Sequence, residues 1–328
     1  MTKPDDIVAV KELRKYYPIQ RGIFAIDRHS VVRAVDNVSF SIQKGETFTL
    51  VGESGSGKTT TAKIILRLIE PTSGTVFFEG NDISRFTKKD MRSLRQRMQI
   101  VFQNPYLSLN PRNKIGDIIA EPLYIHKLAR GEEARNKTMR LLEAVGLSPA
   151  EQFFNRYPHQ LSGGQRQRVM IARALSLSPN FIVADEPVSA LDVSLRSQIL
   201  NLLQDLKSEY HLTYLLITHD LSVVEYMGDR TAVMYLGRIV EIGTTEDVLN
   251  SSLHPYTEML IAAVPVPDPS EKQHRIAVGE SLSPRDVPKG CRFSPRCPYV
   301  FARCKIEEPS LLEINPGHFA ACFLREKK

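Results

Sequence analysis

The feature that most constrains the fold is a glycine-rich stretch, Gly52-Glu-Ser-Gly-Ser-Gly-Lys58-Thr59, which matches the P-loop pattern G-x-x-x-x-G-K-[ST] in full. The short apolar run Thr47–Val51 precedes it, and Thr60–Glu70 follows it with apolar residues at helical spacing. The order therefore predicts a strand, a loop and a helix. Glycines let such a loop curl until its backbone N–H groups face a phosphate, beside the positive end of the helix dipole.

This loop predicts a nucleotide site. Lys58 supplies a full positive charge for the β- and γ-phosphates, and the hydroxyl of Thr59 is expected to bind Mg²⁺. The alternative interpretation is a glycine-rich turn with a chance lysine. The residues expected to contact the nucleotide here are Gly52, Glu53, Ser54, Gly55, Ser56, Gly57, Lys58, Thr59 and Thr60.

Two acidic residues end another apolar run, Phe181-Ile-Val-Ala-Asp185-Glu186. The run predicts a buried strand that delivers Asp185 to its end, where the carboxylate can hold Mg²⁺ directly or through water. Glu186 is one residue further, where it can polarise the attacking water as a general base. Alone this would be an ordinary strand end; beside a P-loop it predicts hydrolysis.

Composition indicates an ordinary folded protein. The 328 residues are 42% hydrophobic and 24% charged, and the net charge of +6 is compatible with anionic ligands or an anionic membrane surface. No apolar run approaches the roughly 18–20 residues that span a bilayer, and Met1–Asp6 does not resemble a secretory signal. If the chain acts at a membrane, it must dock onto another chain.

The remaining pattern predicts an α/β chain with two additions. Strands are expected at Val8–Tyr17 and Val31–Ile42 around a polar loop, Pro18–Ser30, and a basic helix at Ser84–Met98. Helical patterning over about residues 104–160 predicts an inserted helical subdomain. From about Gly243 prolines multiply, which predicts a small C-terminal fold; they are Pro255, Pro265, Pro267, Pro269, Pro284 and Pro288.

Leu161-Ser-Gly-Gly-Gln165 resembles the signature motif of the ABC (ATP-binding cassette) family. Gln103 resembles the family's Q-loop glutamine, Ser189–Asp192 its D-loop, and His219 its switch histidine. The resemblance covers roughly residues 8–245. It implies an α/β P-loop NTPase (RecA-like) core with an antiparallel β subdomain and an inserted helical subdomain. The domains expected are 1–245, the nucleotide-binding domain, and 246–328, a cysteine-bearing C-terminal extension.

The resemblance also implies a mechanism in which two cassettes close head-to-tail over two ATP molecules. The residues expected to serve the partner's nucleotide in trans are Ser162, Gly163, Gly164 and Gln165; they open a helix, where N–H groups can cradle an anion. Gln103 would sense Mg²⁺ and the water, and His219 would contact the γ-phosphate. Tyr17 resembles the aromatic that stacks on adenine, with neighbouring Tyr16 as the alternative.

Finer features resemble the oligopeptide/dipeptide importer branch: the insert Pro18–Ser30, the run Val101–Arg112, His254-Pro-Tyr256-Thr and the cysteine-bearing tail. That branch implies a second, related ATPase subunit, two transmembrane permease subunits and, indirectly, an external solute-binding protein. It places the chain peripherally at the cytoplasmic face of the cell (inner) membrane, with no nucleic-acid partner. Nickel, sugars or other small solutes are alternative cargoes; a soluble ABC ATPase and a regulator with a dead cassette are rival functions.

All four cysteines lie in the last tenth or so of the chain, at Cys291, Cys297, Cys304 and Cys322. Four thiolates are enough for a zinc ion or an iron–sulfur cluster. Structural zinc favours closer pairs, so the spacing favours a cluster, and some members of the resembled branch carry one in this tail. We expect a [4Fe–4S] cluster; zinc, or structural cysteines that are free or disulfide-linked, are the alternatives.

Overall fold

The structure, a computed structural model, describes residues 5–20, 26–264 and 287–326. The chain divides into two compact units. Unit 1 contains Met1–Ile42, Thr47–Ser84 and Thr218–Lys328, and unit 2 contains Gln43–Glu46 and Arg85–Ile217. No helix among the described residues is long and apolar enough to cross a membrane.

Twelve strands are present in the described part of the chain. In chain order they are β1 Asp6–Gln20, β2 Ile26–Gln43, β3 Thr47–Val51, β4 Ser73–Phe78, β5 Asn81–Asp82, β6 Met98–Val101, β7 Phe181–Asp185, β8 Thr213–Thr218, β9 Arg230–Tyr235, β10 Arg238–Thr244, β11 Leu312–Asn315 and β12 His318–Ala320.

The described residues form twelve α-helices and two short 3₁₀ turns, at Ile83–Arg85 and Pro158–Gln160. The helices are α1 Lys58–Ile65, α2 Lys88–Leu94, α3 Pro105–Ser108, α4 Ile115–His126, α5 Gly131–Ala144, α6 Ala150–Phe154, α7 Gly163–Leu175, α8 Val193–Tyr210, α9 Leu221–Met227, α10 Thr245–Asn250, α11 Pro255–Ala262 and α12 Ala302–Ile306.

Unit 1 contains an antiparallel sheet in the order β2-β1-β4-β5, in which Val8 lies opposite Phe78. Its other strands run in the order β11-β12-β10-β9-β3. β3 pairs with β9 in parallel, whereas β9, β10, β12 and β11 pair antiparallel. Every residue of β3 is buried, as expected for a parallel strand that is covered on both faces.

The C-terminal segment, here meaning the described residues 287–326, adds its strands to this second group. β12 pairs with β10, so that Ala320 lies opposite Glu241, and β11 completes the edge. Phe293 is buried in one hydrophobic cluster with Val51, Tyr235 and Tyr256. The predicted boundary at residue 245 therefore falls within unit 1, where the extension and the end of β3 share a core.

Unit 2 contains β6, β7 and β8, which pair in parallel, with Phe181 opposite both Met98 and Thr213. β7 and β8 are fully buried. Helices α3 to α6 occupy the region predicted as a helical subdomain, about residues 104–160. The predicted fold class, a P-loop NTPase core with an antiparallel β subdomain and added helices, is confirmed.

Three element predictions need correction. The expected loop Pro18–Ser30 is largely strand, because β1 continues to Gln20 and β2 begins at Ile26. The helix expected at Thr60–Glu70 ends at Ile65, since Arg67 adopts a left-handed φ of 51°. The basic helix expected at Ser84–Met98 shortens to α2, which a Thr87–Asp90 capping box starts. Of the six prolines, Pro265, Pro267, Pro269 and Pro284 lie outside the described residues.

Candidate functional site

The glycine-rich loop closes around its own lysine. Lys58 is 5% exposed, and its Nζ donates to the carbonyl oxygens of Gly52 at 2.6 Å and Glu53 at 2.9 Å. A third contact joins Nζ to Ser56 Oγ at 3.4 Å. The ammonium is thus held inside a ring of loop oxygens, directly at the start of α1, which begins at Lys58. An anion at this position meets a full charge and the positive end of a helix.

Two glycines permit this curled backbone. Gly57, the N-cap of α1, has φ 107°, and a Cβ there would lie within 3.0 Å of the Ala34 carbonyl oxygen. A Cβ at Gly52 would overlap the carbonyl oxygen of Met234 in the same way. Any side chain at these positions would push the loop away from β9 and from β2. Ser54 and Gly55, at the tip of the loop, are exposed.

The two candidate adenine-stacking tyrosines have different environments. Tyr16 is half-buried, and its hydroxyl donates to Asp36 at 2.6 Å. Burial and this bond to a carboxylate raise the Tyr16 pKa. Tyr17 is 39% exposed, with Lys15 Nζ 5.0 Å from the centre of its ring. Tyr17 is the more exposed of the two, and its role in stacking on adenine stays a prediction.

In unit 2 the end of β7 presents the predicted acidic pair. Asp185 is buried, whereas Glu186 is half-buried with a left-handed φ of 49°. The amide of Gln103 donates to Glu186 Oε2 at 2.7 Å, although the two residues are 83 positions apart. Left-handed backbone is uncommon outside glycine and is enriched at functional sites. The predicted glutamine and general base are therefore brought together.

His219 and the D-loop lie at strand and helix ends, as predicted. His219 is exposed and follows β8 directly, before Asp220 caps α9 by accepting from Ser222 N–H. In the D-loop, the Ser189 hydroxyl donates to the Glu186 carbonyl at 3.2 Å. The D-loop thus fixes the main chain of the predicted general base.

The signature motif opens α7. Ser162 Oγ accepts from Gln165 N–H at 3.3 Å, and Gln165 Oε1 accepts from Ser162 N–H at 3.0 Å, forming a capping box. The helix has 13 residues, so its aligned peptides supply a substantial positive end. Gly163 and Gly164 form its first turn. The predicted phosphate cradle in trans stays a prediction.

The four cysteines are free and line one small cavity in the C-terminal segment. Burial raises the pKa of the Cys291 thiol to about 12, and repulsion from the other cysteines adds to this. Among the described residues, no group of three or more His, Cys, Asp or Glu side chains is placed to hold a metal ion. This gives no support to zinc or to the predicted cluster, and the thiols form no disulfide.

Two residues that contact the phosphate-binding loop were not predicted from the sequence. Arg296 forms two hydrogen bonds to the Glu53 carboxylate, and the Tyr256 hydroxyl accepts from Glu53 N–H at 2.9 Å. Tyr256 belongs to the family-like run His254-Pro-Tyr256-Thr and Arg296 neighbours Cys297, but neither pattern indicates a contact with the loop. Both lie more than 200 positions from Glu53, so no local pattern reveals them.

Comparison with known proteins gives two family matches. The model described as ABC transporter matches residues 35–189, and the model described as Oligopeptide/dipeptide transporter, C-terminal region, matches residues 240–304. The structure also resembles the ATP-binding cassette MJ0796, solved as a dimer in a post-hydrolysis state bound to ADP and Pi. The TM-score is 0.64 at 32% identity, covering 73% of this chain and 98% of that one.

Curated relatives match nearly the whole chain. The Probable peptide ABC transporter ATP-binding protein y4tS of Sinorhizobium fredii is 50% identical, covering 98% of this chain and 90% of that protein. The Oligopeptide transport ATP-binding protein AppF of Bacillus subtilis is 47% identical, covering 98% of each. The Dipeptide transport ATP-binding protein DppF of Haemophilus influenzae is 47% identical, covering 95% and 94%. The chain belongs to the ATP-binding subunits of ABC transporters, in the oligopeptide/dipeptide transporter branch.

Proposed function

We propose that this chain binds and hydrolyses ATP as the energy-coupling subunit of an importer for oligopeptides or dipeptides. The observation that carries the proposal is the phosphate-binding loop closed around Lys58 at the start of α1. The names of the full-length relatives, which all refer to peptide or dipeptide transport, support the cargo class.

In this role Lys58 and the loop N–H groups hold the phosphates. Thr59, Gln103 and Asp185 would hold Mg²⁺, since hydroxyl, amide and carboxylate oxygens are the ligands that this ion prefers. The ion would neutralise charge on the phosphates. Glu186 polarises the attacking water, and the hydrogen bond from Gln103 orients its carboxylate. His219 contacts the γ-phosphate.

The test of hydrolysis is Glu186→Gln, assayed with the partner subunits present. We expect nucleotide binding to persist while turnover falls by about 10²–10⁴-fold, the usual contribution of a general base. Glu225→Gln, an exposed glutamate on α9, is the matched control. Turnover at the normal rate in Glu186→Gln would remove Glu186 from the mechanism.

A companion cassette completes the proposed site. The dimeric state of MJ0796 with ADP and Pi supports closure of two cassettes, with Ser162, Gly163, Gly164 and Gln165 of one facing the nucleotide of the other. We propose a related but different ATPase subunit as the companion. The variant Ser162→Cys tests this arrangement by cross-linking to a thiol-reactive ATP analogue that is bound to the companion subunit. Cross-linking of residue 162 only to an analogue bound to its own chain would contradict the arrangement.

We propose that the chain sits peripherally at the cytoplasmic face of the inner membrane, beneath two transmembrane permease subunits that an external solute-binding protein feeds. The exposed apolar residues Tyr106 (62% exposed) and Leu107 (86%), three and four positions after Gln103, support a docking surface there. Leu107→Asp is expected to abolish co-purification with the permease subunits. Leu68→Asp, at another exposed leucine, is the control and should keep the complex intact. If Leu107→Asp also keeps it intact, the permease subunits do not dock on this surface.

Uptake measurements distinguish the cargoes. Cells whose only copy of this ATPase carries Lys58→Ala are expected to lose uptake of labelled dipeptides and oligopeptides. Loss of nickel or sugar uptake instead, with peptide uptake intact, would favour the alternative small-solute importer. Co-purification with ribosomes or DNA rather than permease subunits would favour a soluble ABC ATPase.

We also propose, as a second role, that the C-terminal thiols hold a [4Fe–4S] cluster. The proposal rests on Cys291, Cys297, Cys304 and Cys322 lining the same cavity and on four thiols being enough ligands for a cluster. The described side chains do not form a metal-holding group as they stand, so the proposal requires the thiols to come together on binding. Burial raises the pKa of the Cys291, Cys297 and Cys322 thiols, so binding of a cationic group at these three must release protons. Such a group would act as a structural staple for the segment.

Iron and acid-labile sulfide analysis of anaerobically purified protein tests this second role. We expect four of each per chain and an absorbance band near about 400 nm for a cluster ligated by four thiolates. The Cys304→Ser variant should lose both. Colourless, iron-free protein from the same preparation would contradict the cluster without affecting the proposed ATPase function.

A further inference from the structure

The P-loop residue Glu53 forms hydrogen bonds through its carboxylate, its backbone N–H and its backbone carbonyl. Its carboxylate accepts from Arg296 Nη1 at 2.9 Å and Nη2 at 2.8 Å, a bidentate pair. Its N–H donates to the Tyr256 hydroxyl at 2.9 Å, and its carbonyl accepts from Lys58 Nζ at 2.9 Å. A single residue therefore joins the C-terminal segment to the lysine of the phosphate-binding loop.

The Arg296 side chain is held in place by neighbours other than Glu53. Its side chain is only 5% exposed, and its guanidinium lies 5.8 Å from the ring centres of both Tyr235 and Phe293. The hydrogen bonds to Glu53 raise the Arg296 pKa, so the guanidinium stays charged. A planar, preorganised cation of this kind loses little freedom when it binds a carboxylate.

The turn that carries Arg296 is also rigid. Arg296 N–H donates to the Phe293 carbonyl at 3.0 Å, and Cys291 N–H donates to the Cys304 carbonyl at 2.8 Å. Phe293 packs in the same hydrophobic cluster as Val51, the last residue before the loop. The anchor is thus set by the C-terminal segment and not by the loop.

We propose that Arg296 is a positioning residue for nucleotide binding, which makes the C-terminal segment a structural part of the phosphate site. By gripping Glu53, Arg296 fixes the backbone that presents a carbonyl to Lys58. It also neutralises a carboxylate that stands beside the place where a polyanion binds. This inference rests on the proposed nucleotide-binding function.

The test is a double-mutant cycle on the full-length protein, read out by titration with a fluorescent ADP analogue and Mg²⁺. Arg296→Met is expected to raise the dissociation constant about tenfold, equivalent to about 1.4 kcal/mol, because it leaves the Glu53 charge uncompensated. Arg296→Lys, which restores the charge without the bidentate geometry, should recover part of the loss. Arg303→Met is the matched control, since Arg303 pairs with Glu307 and Glu326 in the C-terminal segment.

The second arm of the cycle separates positioning from a general structural role. If Arg296 acts through Glu53, the double variant Arg296→Met/Glu53→Gln binds nucleotide no more weakly than Arg296→Met alone. A residue that only stabilises the fold would lower the melting temperature and leave the affinity of the folded protein unchanged. Wild-type affinity in Arg296→Met would overturn the proposal. So would a double variant whose fold-change in dissociation constant equals the product of the two single fold-changes, because the two residues would then act independently.

Lys58→Ala, measured in the same titration, distinguishes this inference from the function on which it rests. Loss of binding in Lys58→Ala with wild-type affinity in Arg296→Met would refute the positioning role alone. Unchanged binding in Lys58→Ala would refute the phosphate site itself, whatever Arg296→Met does.

Discussion

Glu241 carries the sharpest stability prediction, because it is a completely buried carboxylate that accepts four hydrogen bonds. Oε1 accepts from Leu253 N–H at 2.7 Å and His318 Nε2 at 2.8 Å. Oε2 accepts from His254 N–H at 2.9 Å and Thr257 Oγ1 at 2.5 Å. The carboxylate therefore ties β10 to the start of α11 and to β12.

The substitution Glu241→Gln has almost the same shape but replaces one acceptor oxygen by a donor. If the amide nitrogen takes the place of Oε2, the Thr257 hydroxyl can turn to accept, but the His254 N–H is left buried without an acceptor, which costs about 1–3 kcal/mol. The remaining hydrogen bonds no longer have a charged acceptor, so each contributes only about 1 kcal/mol to stability. Relief from burying a charge offsets part of this loss, so we expect a net destabilisation of about 3 kcal/mol.

Thermal unfolding of the full-length protein measures this loss. At about 2–4 °C per kcal/mol, the expected fall in melting temperature is about 6–12 °C. Glu225→Gln on the exposed face of α9 should stay within about 1 °C of wild type. A melting temperature of Glu241→Gln that matches this control would refute the assignment of Glu241 as the acceptor that joins these elements.

Two further changes test the loop and the pH dependence. Gly57→Ala should weaken nucleotide binding at least about tenfold, because its Cβ would overlap the Ala34 carbonyl oxygen. Gly45→Ala is the control, since Gly45 also has a positive φ but has open space around it. Equal nucleotide affinities of the two variants would contradict the clash. Burial lowers the pKa of His254 to about 3, so the unfolded chain binds a proton that the folded chain does not, and stability falls as pH drops from about 6.5 towards 3. His254→Asn keeps an acceptor for the Tyr256 N–H and should flatten melting temperature against pH; an unchanged slope would contradict this source.

The parts of the fold that sequence predicts well are those fixed by local pattern. β3 and β7 are short, fully buried runs; β3 stops just before the glycine-rich loop and β7 ends at Asp185, and buried parallel strands give this signal directly. The signature helix α7 begins at Gly163, directly after its N-cap Ser162, and the four residues Ser162–Gln165 carry a capping-box pattern. Motif order then places these elements in one family of folds.

The errors arise where tertiary contacts outweigh local preference. Pro18–Ser30 is rich in polar residues and predicts a loop, yet β1 and β2 extend into it, because these two strands are neighbours in one sheet and strand pairing satisfies backbone groups whatever the side chains are. Arg67 carries good helix propensity, yet it turns left-handed, and its guanidinium donates to the Ile83 carbonyl and pairs with Glu70. The Ile83 carbonyl lies 16 positions away, outside any helical repeat.

The contacts on Glu53 show the same limit at the site. The P-loop pattern identifies Glu53 as a loop residue but contains no information about what its side chain meets. Tyr256 and Arg296 reach it only because α11 and the turn after Cys291 pack on the end of β3. Sequence predicts the phosphate cradle, whereas the groups that steady it come from packing.

The most direct test of the account is the affinity of the full-length protein for ATP and Mg²⁺ with and without Lys58. Lys58→Ala removes the side chain that donates to the carbonyl oxygens of both Gly52 and Glu53. We expect binding to weaken by about 100-fold or more, about 2.7 kcal/mol, while Lys63→Ala, on the same helix, binds as wild type. Equal affinity in Lys58→Ala and Lys63→Ala would contradict the claim that this loop holds the phosphates.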